Sequence, residues 1–233
     1  MFTIPNFVTL LNLISGILAI IFLLEGHWSS VWIFIVISLV ADFLDGFLAR
    51  VLNQKSPIGK ELDSLADAVS FGVVPSIFFY KLLELYQPTG LIKYFPLIIA
   101  CFAVLRLAKF NTDDRQTDSF YGIPTPLVTI VSLGYFQSLT TPSWLFSSLD
   151  FLHHPLILIP FISILSILMI LDIRMLSLKF STWNFRDNQY RYILLIASIV
   201  FLVIFHWFAP LLILPIYVLL SFLNNSNEIH SRD

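Results

Sequence analysis

Four aspartates stand close together in an otherwise apolar stretch of chain. Asp42 and Asp45 are three residues apart, and Asp63 and Asp67 are four apart. Those spacings place each pair on one face of a helix. Ser56, Pro57 and Gly59 lie between the pairs and suit a turn. A helical hairpin would then bring the two pairs together. Gathered carboxylates repel one another, and a charged group near the middle of a membrane helix costs on the order of 2.5–3.5 kcal/mol. Arg50 and Lys60 offer part of the compensation, and divalent cations offer more. Oxygen-only donors favour magnesium, manganese or calcium. Four carboxylates from two helices can hold two such ions about 3.5–4 Å apart, as in sites that clamp a phosphoryl group in transfer. The plain alternative is a set of interfacial acids that are solvated or paired with lysines. It suits any single aspartate better than four on facing surfaces.

Gly46 and Ala49 share the face of Asp42 and Asp45. Small residues there leave room for a ligand to approach the backbone. They serve equally well as helix-packing residues, and taken alone packing is the stronger reading.

The elements that must hold these groups are membrane helices. The chain has 233 residues, 58% hydrophobic and 12% charged, with a mean hydropathy of +0.86. A soluble domain carries about 25% charged residues. The apolar residues fall in long runs, unlike the alternating segments of a β-barrel. The expected fold is all-α: one domain over residues 1–233, a bundle of about eight spans. The runs cover about 7–24, 29–51, 61–83, 91–110, 124–146, 155–171, 191–207 and 209–224. His206 to Pro210 is either a tight turn between the last two or a kink in one long helix. The net charge of -2 gives no basic field for nucleic acid, and the single cysteine, Cys101, excludes an intramolecular disulfide. The first helix reads as retained, since the N-terminus has no basic n-region.

Eight spans put both ends on one side. Arg50, Lys55, Lys60, Arg106, Lys109, Arg115, Arg174, Lys179, Arg186, Arg191 and Arg232 then share a face, and only Lys81 and Lys93 lie opposite. An excess of Lys and Arg marks the cytoplasmic side. Both termini, the aspartates and the 50–60, 106–121 and 172–190 connections are therefore expected there, in a prokaryotic cell (inner) membrane.

The string Asp42-x2-Asp45-Gly46-x2-Ala49-Arg50-x8-Gly59-x3-Asp63-x3-Asp67 resembles the signature of the CDP-alcohol phosphatidyltransferase family at every defined position. IPNFVTLLNL, LDSLADAVSFGVVPS, RLAKFN and FYGIPTP are similar to its phosphatidylserine synthase branch. Together these touch the first five spans; beyond about residue 130 only the hydrophobic pattern is shared. The resemblance implies transfer of a phosphatidyl group from CDP-diacylglycerol to the hydroxyl of L-serine, with release of CMP. It implies a helical bundle around a polar cavity open to the cytoplasm, and two divalent cations, Mg2+ or Mn2+, on Asp42, Asp45, Asp63 and Asp67. Asp67 is the implied general base, and Gly46, Ala49, Arg50 and Gly59 are implied around the CDP moiety. Direct in-line attack is expected, because no serine or histidine beside the cluster suggests a nucleophile. Relatives often form homodimers, so a homodimer is also expected. Another acceptor, glycerol phosphate or inositol phosphate, stays open, as does an archaeal-type CDP-lipid donor. A divalent-cation transporter is the rival from another class, but it would spread polar groups across the bilayer instead of gathering them at one face.

Other residues carry weaker signals. Arg106 and Lys109, one turn apart, with Asn111, can hold serine's carboxylate or a lipid phosphate, or merely anchor a span end. One of Asp113, Asp114 and Asp118 can face serine's ammonium, though a solvated acidic loop is the stronger reading, and Gly122, Pro124 and Pro126 read as the loop's return to the fifth span. Thr9 and Asn12 either hydrogen-bond within the bundle or, as the resemblance suggests, border the nucleotide or metal site. Trp28, Trp144 and Trp207 read as outer-boundary anchors. His153 and His154 lie on the outer side and make no case for a metal.

Overall fold

The computed structural model describes residues 3–86, 90–113, 120–140, 154–176 and 184–230. Its helices follow the apolar runs: α1 (Ile4–Leu24), α2 (Trp28–Val51), α3 (Pro57–Asp67), α4 (Val74–Glu84), α5 (Ile98–Thr112), α6 (Thr125–Thr140), α7 (Pro155–Ile170), α8 (Phe185–Phe205) and α9 (Ala209–His230). A π-helical turn, Ala68–Val73, joins α3 to α4 without a break, and a 3-10 turn, Ile92–Leu97, leads into α5. Two short strands, β1 (Phe120–Tyr121) and β2 (Arg174–Met175), pair antiparallel. Apart from this two-residue ribbon the regular elements of the described residues are helical, as expected. Among the described residues, 4–24, 28–51, 57–84 and 188–226 are long and apolar enough to cross a membrane, while 125–136 and 155–170 are shorter. The chain is a helical membrane protein.

The last of those stretches is two helices. Phe205 ends α8, His206 takes a positive φ of 47°, and a 3-10 turn over His206–Phe208 starts the return. Leu194 of α8 then packs with Leu220 of α9, residues nearly equidistant from the turn. A kinked single helix would hold those residues far apart, so the tight-turn alternative is the one realised.

Lipid inverts the usual helix pattern, and α1 shows how. Its buried stripe is Pro5, Asn6, Thr9, Asn12, Ser15, Gly16, Ala19 and Leu23, recurring every three or four residues. Phe7, Leu11, Ile14 and Leu24 face outward and are about half exposed. Without a hydrophobic drive between helices, small and polar residues make the contacts. Gly16 permits the closest one: a Cβ there would stand 2.3 Å from Ser70 Oγ. At the end of the bundle away from the aspartates the interior is dry and aromatic. Phe79 contacts Phe78, Tyr135 and Phe161, and Trp28 stacks on Phe136 at 5.6 Å. Trp28 is therefore built into the core, not only an interfacial anchor. Trp207 is 46% exposed, and Trp144 lies outside the described residues.

Three connections meet at the aspartate end. Lys60 Nζ donates to the Asn111 carbonyl at 3.0 Å, and Asn111 Nδ2 donates to Ser64 Oγ at 2.8 Å. Lys109 reaches Asp172 at 3.3 Å and the Ile170 carbonyl at 3.5 Å. Gly122, at φ +72°, makes the turn into α6; a Cβ there would meet the Met169 carbonyl at 2.3 Å. The 50–60, 106–113 and 170–176 segments thus share one end, as the alternation of loops requires. Of the acidic loop after α5, Asp114 and Asp118 lie outside the described residues, as do Arg115, Lys179 and Arg232.

Candidate active site

The hairpin that gathers the aspartates has a plain local cause. Asn53, at φ 53°, lets α2 end, and its segment runs into Ser56. Ser56 caps α3, its Oγ accepting from the Gly59 N–H at 3.0 Å, and Pro57 opens the helix. The third span therefore starts at Pro57, earlier than hydropathy suggests. Gly59 belongs to the first helical turn and not to the loop. A Cβ on Gly59 would crowd Asn6 Oδ1 and Ser56 Oγ, each at 3.1 Å.

Carboxylate oxygens of Asp42, Asp63 and Asp67 lie within 4.8 Å of one another. Asp45 adjoins them closely enough for its charge to act on all three, but it stands outside the tightest triangle. Thr9 Oγ1 lies 2.6 Å from Asp45 Oδ2 and holds it. Asn12 Nδ2 donates to Asp67 Oδ1 at 3.1 Å. Asn12 is itself fixed, because Ser38 Oγ donates to its Oδ1 and Ser70 Oγ donates to its carbonyl at 3.1 Å. The accepted Ser38 bond forces the amide NH2 toward Asp67. Both α1 residues thus do the two things open to them from sequence: they bond within the bundle and they border the acidic site.

The donor set fits a divalent cation. All the gathered ligand atoms are carboxylate oxygens, which suits a hard ion. Asp63 Oδ1 is buried and makes no hydrogen bond among the described residues. A buried carboxylate oxygen left unpaired at the centre of a like-charged group is where a cation is wanted.

A cavity of about 690 Å³ opens beside the cluster at the α2–α3 connection. It is lined by Asp45, Gly46, Ala49, Arg50, Gly59 and Asp63 among others, including Thr9, Lys55, Lys60 and Phe110. Asp42 and Asp67 do not line it. Gly46 has no atom within 4 Å of where a Cβ would stand. It is therefore not a helix-packing glycine; the space above it belongs to the cavity.

The cations of α5 divide. Lys109 and Asn111 are committed to the links between connections described above. Arg106 is only 8% exposed, its guanidinium lies over the Phe110 ring at 5.8 Å, and the Asp67 carboxylate is near enough to act on its charge. At the end of the bundle away from the aspartates, His154 Nδ1 accepts from the Leu156 N–H at 3.3 Å and caps α7. His153 lies outside the described residues.

Two features escaped the sequence. One is the π-helical turn directly after Asp67, which turns Ser70 toward α1 and brings Gly72 against Ala103. The other is Ser38, which reads as an ordinary small residue until α1 is placed against α2. No periodicity marks either.

The sequence matches the CDP-alcohol phosphatidyltransferase family model over residues 2–204. The chain belongs to that family, whose members are phosphotransferases. The match runs well past residue 130, so the family likeness extends through helices that carry no recognisable motif. Three relatives are each named CDP-diacylglycerol–serine O-phosphatidyltransferase. That of Bacillus subtilis is 41% identical over 53% of this chain and 69% of its own. That of Helicobacter pylori is 30% identical over 84% of this chain and 81% of its own. That of Mycobacterium tuberculosis is 36% identical over 56% of this chain, but this spans only 47% of the relative.

Proposed function

We propose that this protein transfers a phosphatidyl group from CDP-diacylglycerol to the hydroxyl of L-serine, giving phosphatidylserine and CMP. The single observation that carries the reading is the convergence of Asp42, Asp63 and Asp67 next to a cavity lined by the small and basic residues of the signature. The serine acceptor rests on the names of the relatives.

In this reading Asp42, Asp45, Asp63 and Asp67 hold two divalent cations, Mg2+ or Mn2+. When bound, the ions supply charge that offsets the anionic diphosphate and the leaving CMP. The remaining work falls to the chain itself. Gly46 and Ala49 leave room for the CDP moiety, Gly59 lines the same cavity, and Arg50 offers a fork to its phosphates. Thr9 and Asn12 fix Asp45 and Asp67. Serine's hydroxyl is a weak nucleophile at neutral pH, so Asp67 takes its proton as attack on the lipid-side phosphorus proceeds. With Oδ1 held by Asn12, Oδ2 is the oxygen left for that proton. Arg106, with Lys109 and Asn111 further along α5, stands on the acceptor side. All eight apolar runs cross the membrane, forming a single domain with the cavity, the aspartates and both termini on the cytoplasmic face of a prokaryotic inner membrane. The protein works as a homodimer.

The purified full chain, given CDP-diacylglycerol and Mg2+ or Mn2+, should release CMP only when L-serine is added. Chelation should stop release and either ion should restore it. Release that depends on glycerol phosphate or inositol phosphate instead would reject serine. Cation flux into proteoliposomes without any CDP-lipid would favour a transporter.

A further inference from the structure

Arg106 presents a physical puzzle. Its Nε is shut off from solvent, and among the described residues the guanidinium makes no hydrogen bond and no ion pair. A buried unpaired cation is unfavourable, and a ring beneath it recovers only part of the loss. Arginine is also the residue whose planar fork matches a carboxylate or phosphate. Its burial is therefore rational when an anion joins it.

The surroundings say which anion. The cations that line the nucleotide-side cavity are Arg50, Lys55 and Lys60. Arg106 does not line it. Phe110 stands between, lining that cavity while carrying Arg106 on its ring. Arg106 instead lies close enough for the Asp67 carboxylate and the Tyr217 hydroxyl of α9 to act on its charge. Tyr217 is held in place: its hydroxyl donates to the Leu176 carbonyl at 3.2 Å. On the same face of α9, Ser221 Oγ accepts from the Leu176 N–H at 2.9 Å, and Asn225 donates to the Arg174 carbonyl at 2.7 Å. With its proton engaged, the Tyr217 oxygen keeps lone pairs for a donor.

We infer that Arg106 and Tyr217 form the acceptor subsite, Arg106 binding the carboxylate of the amino-acid acceptor and Tyr217 oxygen accepting from its ammonium group. The terminal hairpin thereby gains a role, since α9 supplies Tyr217 beside Arg106. This deepens the proposed serine transfer and rests on it. In L-serine two carbons separate the hydroxyl oxygen from the carboxylate carbon, so a carboxylate held at Arg106 leaves the hydroxyl to reach Asp67. The subsite adds no bond-making step; it sets where the hydroxyl lies.

The test compares Arg106→Gln, Arg106→Lys and Tyr217→Phe with wild type as full-length, reconstituted protein. KM is measured for L-serine at saturating CDP-diacylglycerol and for CDP-diacylglycerol at saturating L-serine. Arg106→Gln should raise KM for L-serine about tenfold or more, as loss of a charge-assisted fork predicts, and leave KM for CDP-diacylglycerol within about twofold. Arg106→Lys should fall between, and Tyr217→Phe should raise KM for L-serine severalfold with the lipid value unmoved. If Arg106→Gln does not fold, Arg106→Lys carries the same comparison, since it keeps the charge and loses the fork. A rise confined to CDP-diacylglycerol would show that Arg106 holds a lipid phosphate and would overturn the subsite, as would unchanged constants for both substrates. Wild-type protein that releases no CMP with L-serine would instead reject the acceptor assignment on which the subsite rests.

Discussion

The two ends of this bundle are built from the same helices and solve opposite problems. At one end α1, α2 and α3 turn Thr9, Asn12, Asp45 and Asp67 inward, all buried. At the other, α1, α2 and α4 turn in Leu23, Val31, Phe78 and Phe79. The dry end is held by shape, with rings meeting edge to face: Phe78 and Phe79 lie 5.0 Å apart, Phe78 and Phe136 5.5 Å. The wet end is held by directional bonds, and a cluster of like charges strains against them. The interior of the apolar end packs without buried charge, while the polar end keeps carboxylates whose mutual repulsion a bound cation would offset. A bundle that was polar throughout would lack that packing, and one that was dry throughout would have no site.

The largest expected break of this division is at Asp67. Asp67→Asn keeps size and the Asn12 contact but removes the base, so CMP release should fall by about a thousandfold, within the range for a lost general base. The protein should remain folded by thermal unfolding in detergent. Retained activity would remove Asp67 from the proposed role. The next effect belongs to the other end. Phe79→Ala empties a fully buried ring position and should cost about 2 kcal/mol of stability; this is below the usual soluble-protein loss, because lipid offers no transfer term. Its kcat at a temperature where it is folded should match wild type. The smallest effects come from a pair of glycines that sharpens the contrast. Gly16→Ala would drive a Cβ into Ser70 and should lower the unfolding temperature. Gly46→Ala meets nothing, so it should unfold as wild type does while raising KM for CDP-diacylglycerol severalfold. Equal loss of stability in both variants would break the distinction between a packing glycine and a cavity glycine.

Much of this was legible in the residues. The apolar runs followed the described helices, four stretches of which are long and apolar enough to cross a membrane. The spacing of the four aspartates placed them on helix faces, and Ser56 and Pro57 marked the hairpin between. Boundaries were less legible. The third span starts at Pro57 because a serine cap and a proline nucleate helix in polar sequence that a hydropathy window discounts. The choice at His206 between turn and kink also had to await the structure, since both satisfy the same local residues.

By itself the sequence determined the class of structure, the acidic cluster and the family signature, for these depend on composition and on separations along one or two helices. Only the tertiary structure decided that Gly46 faces empty space and Gly16 a neighbour, that Asn12 is clamped between Ser38 and Asp67, and that Arg106 is buried without an ion-pair partner among the described residues. The reason is geometric. Helical spacing says which residues share a face, while the identity of what lies across from that face is set by how separate helices pack, over distances in sequence that no local pattern records.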